Sequence, residues 1–165
     1  DTDKVVTGKT FLNKLAGKDD PLRLHELVGF KDMDLQLELQ SSMNTMLDDE
    51  EEFASIFYNK VFTLAPQVRA LFRNNMTEQG RLLTHMLGGI VYSFSRPEHL
   101  KKGLAKLGRS HVQYGVKAEY YPVVKLAMMQ TIEQVLGENK TKRTLEAWNT
   151  ALDFVIDTMK GHAYA

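Results

Sequence analysis

The sequence predicts an all-α domain that starts near residue 33. Three observations carry this. From Met33 to the end, apolar residues recur three and four apart, and no two-residue alternation interrupts them. Pro66, Pro97, Pro122 and Gly137 cut that pattern into pieces of ordinary helix length. Apolar residues make up 43% of the 165-residue chain, enough for one domain with a real core.

Taken in order, the pieces are seven helical segments. The first runs from Asp32, a candidate cap, through Met33, Leu35, Leu39, Met43, Met46 and Leu47. The acidic run Asp48 to Glu52 puts negative charge at the start of the second, where the helix dipole favours it. That helix carries Phe53, Ile56, Phe57, Tyr58, Val61, Phe62 and Leu64. Pro66 opens a short third helix that ends near Leu71 and Phe72. A loop with Asn75 or Thr77 as cap leads into the fourth, through "RLLTHMLGGIVYSF". Ser95-Arg96-Pro97 breaks it, and the fifth runs toward His111. "VKAEYYP" is the next junction, with Pro122 tolerated in a first turn; the sixth helix stops at Gly137, and "TKRTLEAWNTALDFVIDTMKG" forms the last.

Composition narrows function. Twenty-one basic residues balance twenty-one acidic ones, which gives no electrostatic reason to expect nucleic acid or an anionic membrane as partner. The absence of cysteine excludes disulfides, thiolate chemistry and Cys-based metal sites. No apolar run approaches the ~20 residues of a membrane span, and the expected setting is the cytoplasm. The first residue is Asp1 with no signal-peptide pattern behind it, so the chain is expected to be a piece of something longer.

His111 stands out in the fifth helix. Gln79 lies 17 residues before Arg96, and His111 lies 14 after Pro97. With a rise of ~1.5 Å per residue, both travel comparable distances from one corner. They can face each other across a slot if the helices splay. A neutral imidazole on one wall and an amide on the other suit a flat cofactor with an open coordination position, as haem iron has on a single histidine. Any helical hairpin has facing residues, so a histidine that is merely solvated or hydrogen-bonded in the core remains open on spacing alone.

The stretches "FYNKVFTLAPQVRALF", "TEQGRLLTHML" and "LGRSHVQYGVKAEYYPVV" resemble the bacterial single-domain haemoglobins and the haem domain of flavohaemoglobins, over about Met33 to Tyr164. The resemblance implies a globin fold, a three-over-three helical sandwich around haem b, for residues 33–165, with residues 1–32 as a short extension. It makes His111 the proximal iron ligand and Tyr121 the tyrosine beside it, a candidate partner for its other ring nitrogen. Phe72 matches the phenylalanine that wedges against the porphyrin. Tyr58 and Gln79 fall at the distal positions, where both could donate to bound dioxygen, and Leu83 matches the apolar residue that limits access. His85, His99 and His162 are expected to be non-ligands, the methionines core filler, and Trp148 a packing residue. Arg81 and Arg109 are candidates for a haem propionate.

The implied function is reversible binding of dioxygen, carbon monoxide or nitric oxide, as a carrier or as the sensor module of a larger protein. The alternative is a nitric oxide dioxygenase that needs an external reductase. The glutamate that completes the flavohaemoglobin proximal network has no evident counterpart in "MKGHAYA", which puts that network in doubt. In the leader, Leu22 and Leu24 alternate with Arg23 and His25 after a turn at Asp19-Asp20-Pro21, as in a strand. Ala16-Gly17-Lys18, Pro21, Glu26, Leu27 and Gly29 resemble the last strands of class III nucleotide cyclases. That implies a covalently linked catalytic domain, or pairing of two copies into a homodimer through strand edges.

Overall fold

The structure, a computed structural model, describes residues 32–73, 75–161, 163 and 164. The leader's expected strand and its cyclase-like stretch lie outside the described residues. Among those described there are six α-helices and no strand. They are α1 (Asp32–Met46), α2 (Glu50–Leu64), α3 (Met76–Ser93), α4 (Pro97–Gln113), α5 (Tyr121–Leu136) and α6 (Lys142–Lys160). Short 3₁₀ turns cover Pro66–Leu71, Ala118–Tyr120 and Gly137–Asn139. The first of these is the third expected segment, wound more tightly than an α-helix.

The breaks have local causes. The Asp49 side chain accepts the Glu52 N–H at 3.0 Å and starts α2, with Glu50, Glu51 and Glu52 in its first turn. Of the two cap candidates before α3 the structure selects Asn75, whose Oδ1 accepts from Thr77 N at 2.7 Å and Glu78 N at 3.3 Å. The Thr141 hydroxyl accepts the Thr144 N–H at 3.0 Å and starts α6. Gly137 ends α5 at φ 53°, a backbone state that side chains with a Cβ rarely adopt.

Layers of α1, α3, α4 and of α2, α5, α6 form the three-over-three sandwich. Phe53, Phe94, Phe154, Leu35, Leu39, Leu104 and Ile132 fill the core, with Met46 and Met128 as apolar filler. Trp148 is buried at 2% exposure, and its indole N–H donates to Ser42 Oγ at 2.8 Å, so it joins α6 to α1 as well as packing. The Thr144 hydroxyl donates to Glu38 Oε1 at 2.6 Å along the same seam.

Two glycines set how closely helices cross. A Cβ at Gly80 would lie 2.8 Å from the Ala54 Cβ, which brings α2 and α3 together. A Cβ at Gly108 would strike the Met159 carbonyl, so α4 and α6 touch backbone to backbone. A carbonyl cannot rotate aside as a side-chain tip can. We therefore expect Gly108→Ala to destabilise the protein by at least the ~1–3 kcal/mol typical of overpacking, seen as a lower urea midpoint. An unchanged midpoint would show that α4 can lift off α6 freely.

α3 and α4 make far fewer contacts with each other than α2 makes with α5 or α4 with α6. The helices that flank the Ser95–Pro97 corner thus touch each other little. No helix among the described residues is long and apolar enough to cross a membrane.

Candidate functional site

On α3, Gln79, Leu82, Leu83, Met86 and Ile90 share one face by helical spacing. The neighbouring face, with Gly80, Thr84, Leu87 and Val91, is buried. The protein does not cover the first face to the same degree: Leu82 is 52% exposed and Met86 39%, while Gln79, Leu83 and Ile90 are half-buried. These side chains form an apolar wall that the protein itself leaves incompletely covered.

Tyr58 projects beside that wall from α2. It is 7% exposed and accepts a hydrogen bond from Gln79 Nε2 at 3.3 Å. Because the phenol oxygen receives that bond, its own proton is free to be given elsewhere. Burial pushes the Tyr58 phenol above its ordinary value, more than the Gln79 bond lowers it, so it remains a donor at neutral pH. Aromatic rings hold it in place. Phe72 meets it edge-on at 5.2 Å between centroids, Phe57 at 5.0 Å, and Phe62 stacks at 5.9 Å.

His111 stands near the end of α4 and is half-buried. Its Nδ1 lies 2.9 Å from the Leu107 carbonyl, one turn earlier. A carbonyl only accepts, so Nδ1 carries the hydrogen and the neutral ring keeps its lone pair on Nε2. Burial holds the imidazole below its ordinary pKa, against the raising effect of the Leu107 bond, and so favours this neutral form. Here the structure corrects one expectation. The partner on the second ring nitrogen is the Leu107 carbonyl and not the Tyr121 hydroxyl. The α-helix supplies that acceptor four residues back without help from another element. Tyr121 does lie beside the imidazole, its ring stacked at 6.3 Å and 27°. Its hydroxyl is 3.4 Å from that of Tyr164, which in turn donates to the Val116 carbonyl at 2.7 Å.

One close approach links the segments that carry the two clusters. Gly115, at φ 94° in the turn after His111, approaches Leu71 so closely that a Cβ there would lie 3.4 Å from Leu71 Cδ2. Leu71 immediately precedes Phe72 of the Tyr58 cluster.

Among the described residues, no three His, Asp or Glu side chains gather as they would around a bare ion. A metal held at His111 therefore has to bring its other ligands with it. One imidazole with its Nδ1–H held by a carbonyl, an incompletely covered apolar wall, and the donor pair of buried Tyr58 and half-buried Gln79 near that wall together fit haem.

The other candidates are placed as follows. His85 and His99 are exposed, and His25 and His162 lie outside the described residues. Arg109 is exposed. Arg81 lines a separate polar cleft of about 680 Å³ with Asp49, Glu50, Glu51, Glu52 and Arg69. That cleft is also lined by Tyr58 and Phe62. Sequence reasoning missed Leu82, Met86, Leu107 and Tyr164. Spacing from Gln79 and His111 could have found the first three. Nothing local points to Tyr164.

Comparison with known proteins agrees with this fold. The family model described as Globin matches residues 55–159. A globin-like protein of Aquifex aeolicus is 31% identical over 121 residues, 73% of this chain and 86% of its own length. A flavohemoprotein of Xylella fastidiosa is 29% identical over 126 residues, and this chain spans 31% of its length. Among solved structures, a bacterial globin from Campylobacter jejuni superposes with a TM-score of 0.65 at 24% identity, covering 81% of this chain and 99% of its own. A flavohemoglobin from Malassezia yamatoensis with bound FAD and heme gives a TM-score of 0.65 at 16% identity, covering 79% and 36%.

Proposed function

Because the chain belongs to the globin family, we propose that it holds haem b on His111 and binds a diatomic gas, dioxygen foremost, on the side of Tyr58 and Gln79. Haem supplies the iron and the open coordination position that no protein side chain provides. The chain's residues do the rest. His111 offers the Nε2 lone pair, aimed by the bond from its Nδ1–H to the Leu107 carbonyl. Leu82, Leu83 and Met86 give the porphyrin an apolar surface and keep water from it. Phe72 holds the Tyr58 ring. Gln79 donates to the Tyr58 oxygen and so orients the phenol, whose proton is left for a gas ligand that gains negative charge.

The observation that carries this reading is the half-buried imidazole of His111 near the end of α4, with its Nδ1 2.9 Å from the Leu107 carbonyl. The test is the visible spectrum of the purified protein, oxidised, reduced and under carbon monoxide. We expect haem bound at one per chain, and a carbon monoxide complex that forms on reduction and reverses when the gas is removed. Failure to take up haem from solution would overturn the reading.

Nitric oxide dioxygenation with an external reductase is the second reading, and the flavohemoprotein relatives support it. The hydrogen bonds of the proximal side favour reversible binding instead. Among the described residues those bonds run from His111 to a peptide carbonyl, and from Tyr121 to a second tyrosine. No carboxylate takes part to press negative charge on the imidazole.

A further inference from the structure

We infer that Tyr164 is a positioning residue for the proximal side, a clasp that fixes the turn behind His111 and the ring of Tyr121; this rests on the haem reading above. The turn closes on itself first. The Val116 N–H donates to the His111 carbonyl at 2.9 Å, and the Gly115 N–H to the Val112 carbonyl at 3.0 Å. Both bonds use main-chain groups of the turn alone and leave the Val116 carbonyl to be satisfied elsewhere. Tyr164 satisfies it at 2.7 Å, from beyond the end of α6, 48 residues along the chain.

The hydroxyl of Tyr164 has one proton, and the carbonyl can only accept. That proton therefore goes to Val116, and at 3.4 Å it is Tyr121 that donates to the Tyr164 oxygen. The order is Tyr121 to Tyr164 to Val116, a relay with one direction. The rings support it: Tyr121 and Tyr164 meet edge-on at 6.0 Å and 85°, and Tyr121 is 4% exposed. This directs the Tyr121 hydroxyl toward Tyr164 and leaves the ring stacked beside His111. Three separate parts of the chain are thereby joined: the turn after α4, the first residue of α5, and the segment after α6. The imidazole sits two bonds from the clasp, through the His111 carbonyl and Val116.

The test uses the full chain with Tyr164→Phe, which keeps the ring and removes the hydroxyl. Tyr121→Phe and His111→Ala run beside it. Two readouts are taken. In the haem-free protein, amide hydrogen exchange at Gly115 to Lys117 should quicken roughly two- to ten-fold in Tyr164→Phe, as loss of one hydrogen bond predicts. In the reduced haem protein, the iron–histidine stretching band in resonance Raman should broaden or split, because the imidazole then samples more than one orientation. Tyr121→Phe should quicken exchange less, since the Val116 bond survives it. Faster exchange with an unmoved band would reduce Tyr164 to a structural prop and overturn the positioning role. No change in either readout would overturn the clasp itself. Failure of the haem reading would show separately, as full haem retention by His111→Ala.

Discussion

Replacing His111 with alanine is expected to strip the protein of stoichiometric haem, or to leave haem that only added imidazole restores. The expectation follows from arithmetic of donors. Among the described residues no other histidine faces the slot, since His85 and His99 are exposed, and no acidic cluster stands by to replace the lost ligand. On the proposed reading, removing His111 deletes the one coordinate bond that the chain would supply. It leaves only apolar contact from Leu82, Leu83 and Met86 to hold the porphyrin. Imidazole in solution can refill the space, because the Leu107 carbonyl still offers an acceptor to its N–H. The measurement is haem content per chain after gel filtration, with and without imidazole. A variant with unchanged haem content and an unchanged spectrum of the reduced carbon monoxide complex would remove His111 from its assigned role.

The second large effect should come from the opposite wall. Tyr58→Phe together with Gln79→Leu is expected to raise the dioxygen dissociation rate by about one to two orders of magnitude. Each neutral hydrogen bond contributes roughly 0.5–1.5 kcal/mol net, and about 1.4 kcal/mol is tenfold in a rate or affinity. The two positions are coupled, because Gln79 Nε2 donates to the Tyr58 oxygen at 3.3 Å. Their single effects should therefore not add: Gln79→Leu alone leaves the phenol in place but free to turn. Carbon monoxide is the less polar ligand and should escape only slightly faster. Stopped-flow replacement of each gas distinguishes the cases. Equal acceleration of both would transfer control to the bulk of Leu83.

Much of this fold is readable one residue at a time. Pro66, Pro97 and Gly137 end helices because of what their own backbones forbid or allow, and the acidic run before Phe53 starts one because of its charge. These causes are local, and sequence carries them directly. The choice of Asn75 over Thr77 as cap was not readable, since either side chain can accept an N–H and only the path of the chain decides. The site divides in the same way. His111, Gln79 and Tyr58 come into view through spacing and family resemblance. The Leu107 carbonyl was passed over because a backbone acceptor has no letter of its own, and a tyrosine nearby offered a more visible partner. Tyr164 was passed over because its partners are 43 and 48 residues away, and nothing in "GHAYA" records them.

The meeting of Gly108 with the Met159 carbonyl has a mechanical meaning. Where side chains separate two helices, they can tilt and absorb a small slide. Where backbone rests on backbone there is nothing compliant between them, and the two behave as a strut with a fixed pivot. Gly108 lies three residues before His111, and Met159 lies one residue before the end of α6. A substitution or shift near the His111 end of α4 therefore meets the C-terminal turn of α6 directly, with no side chain between them to yield.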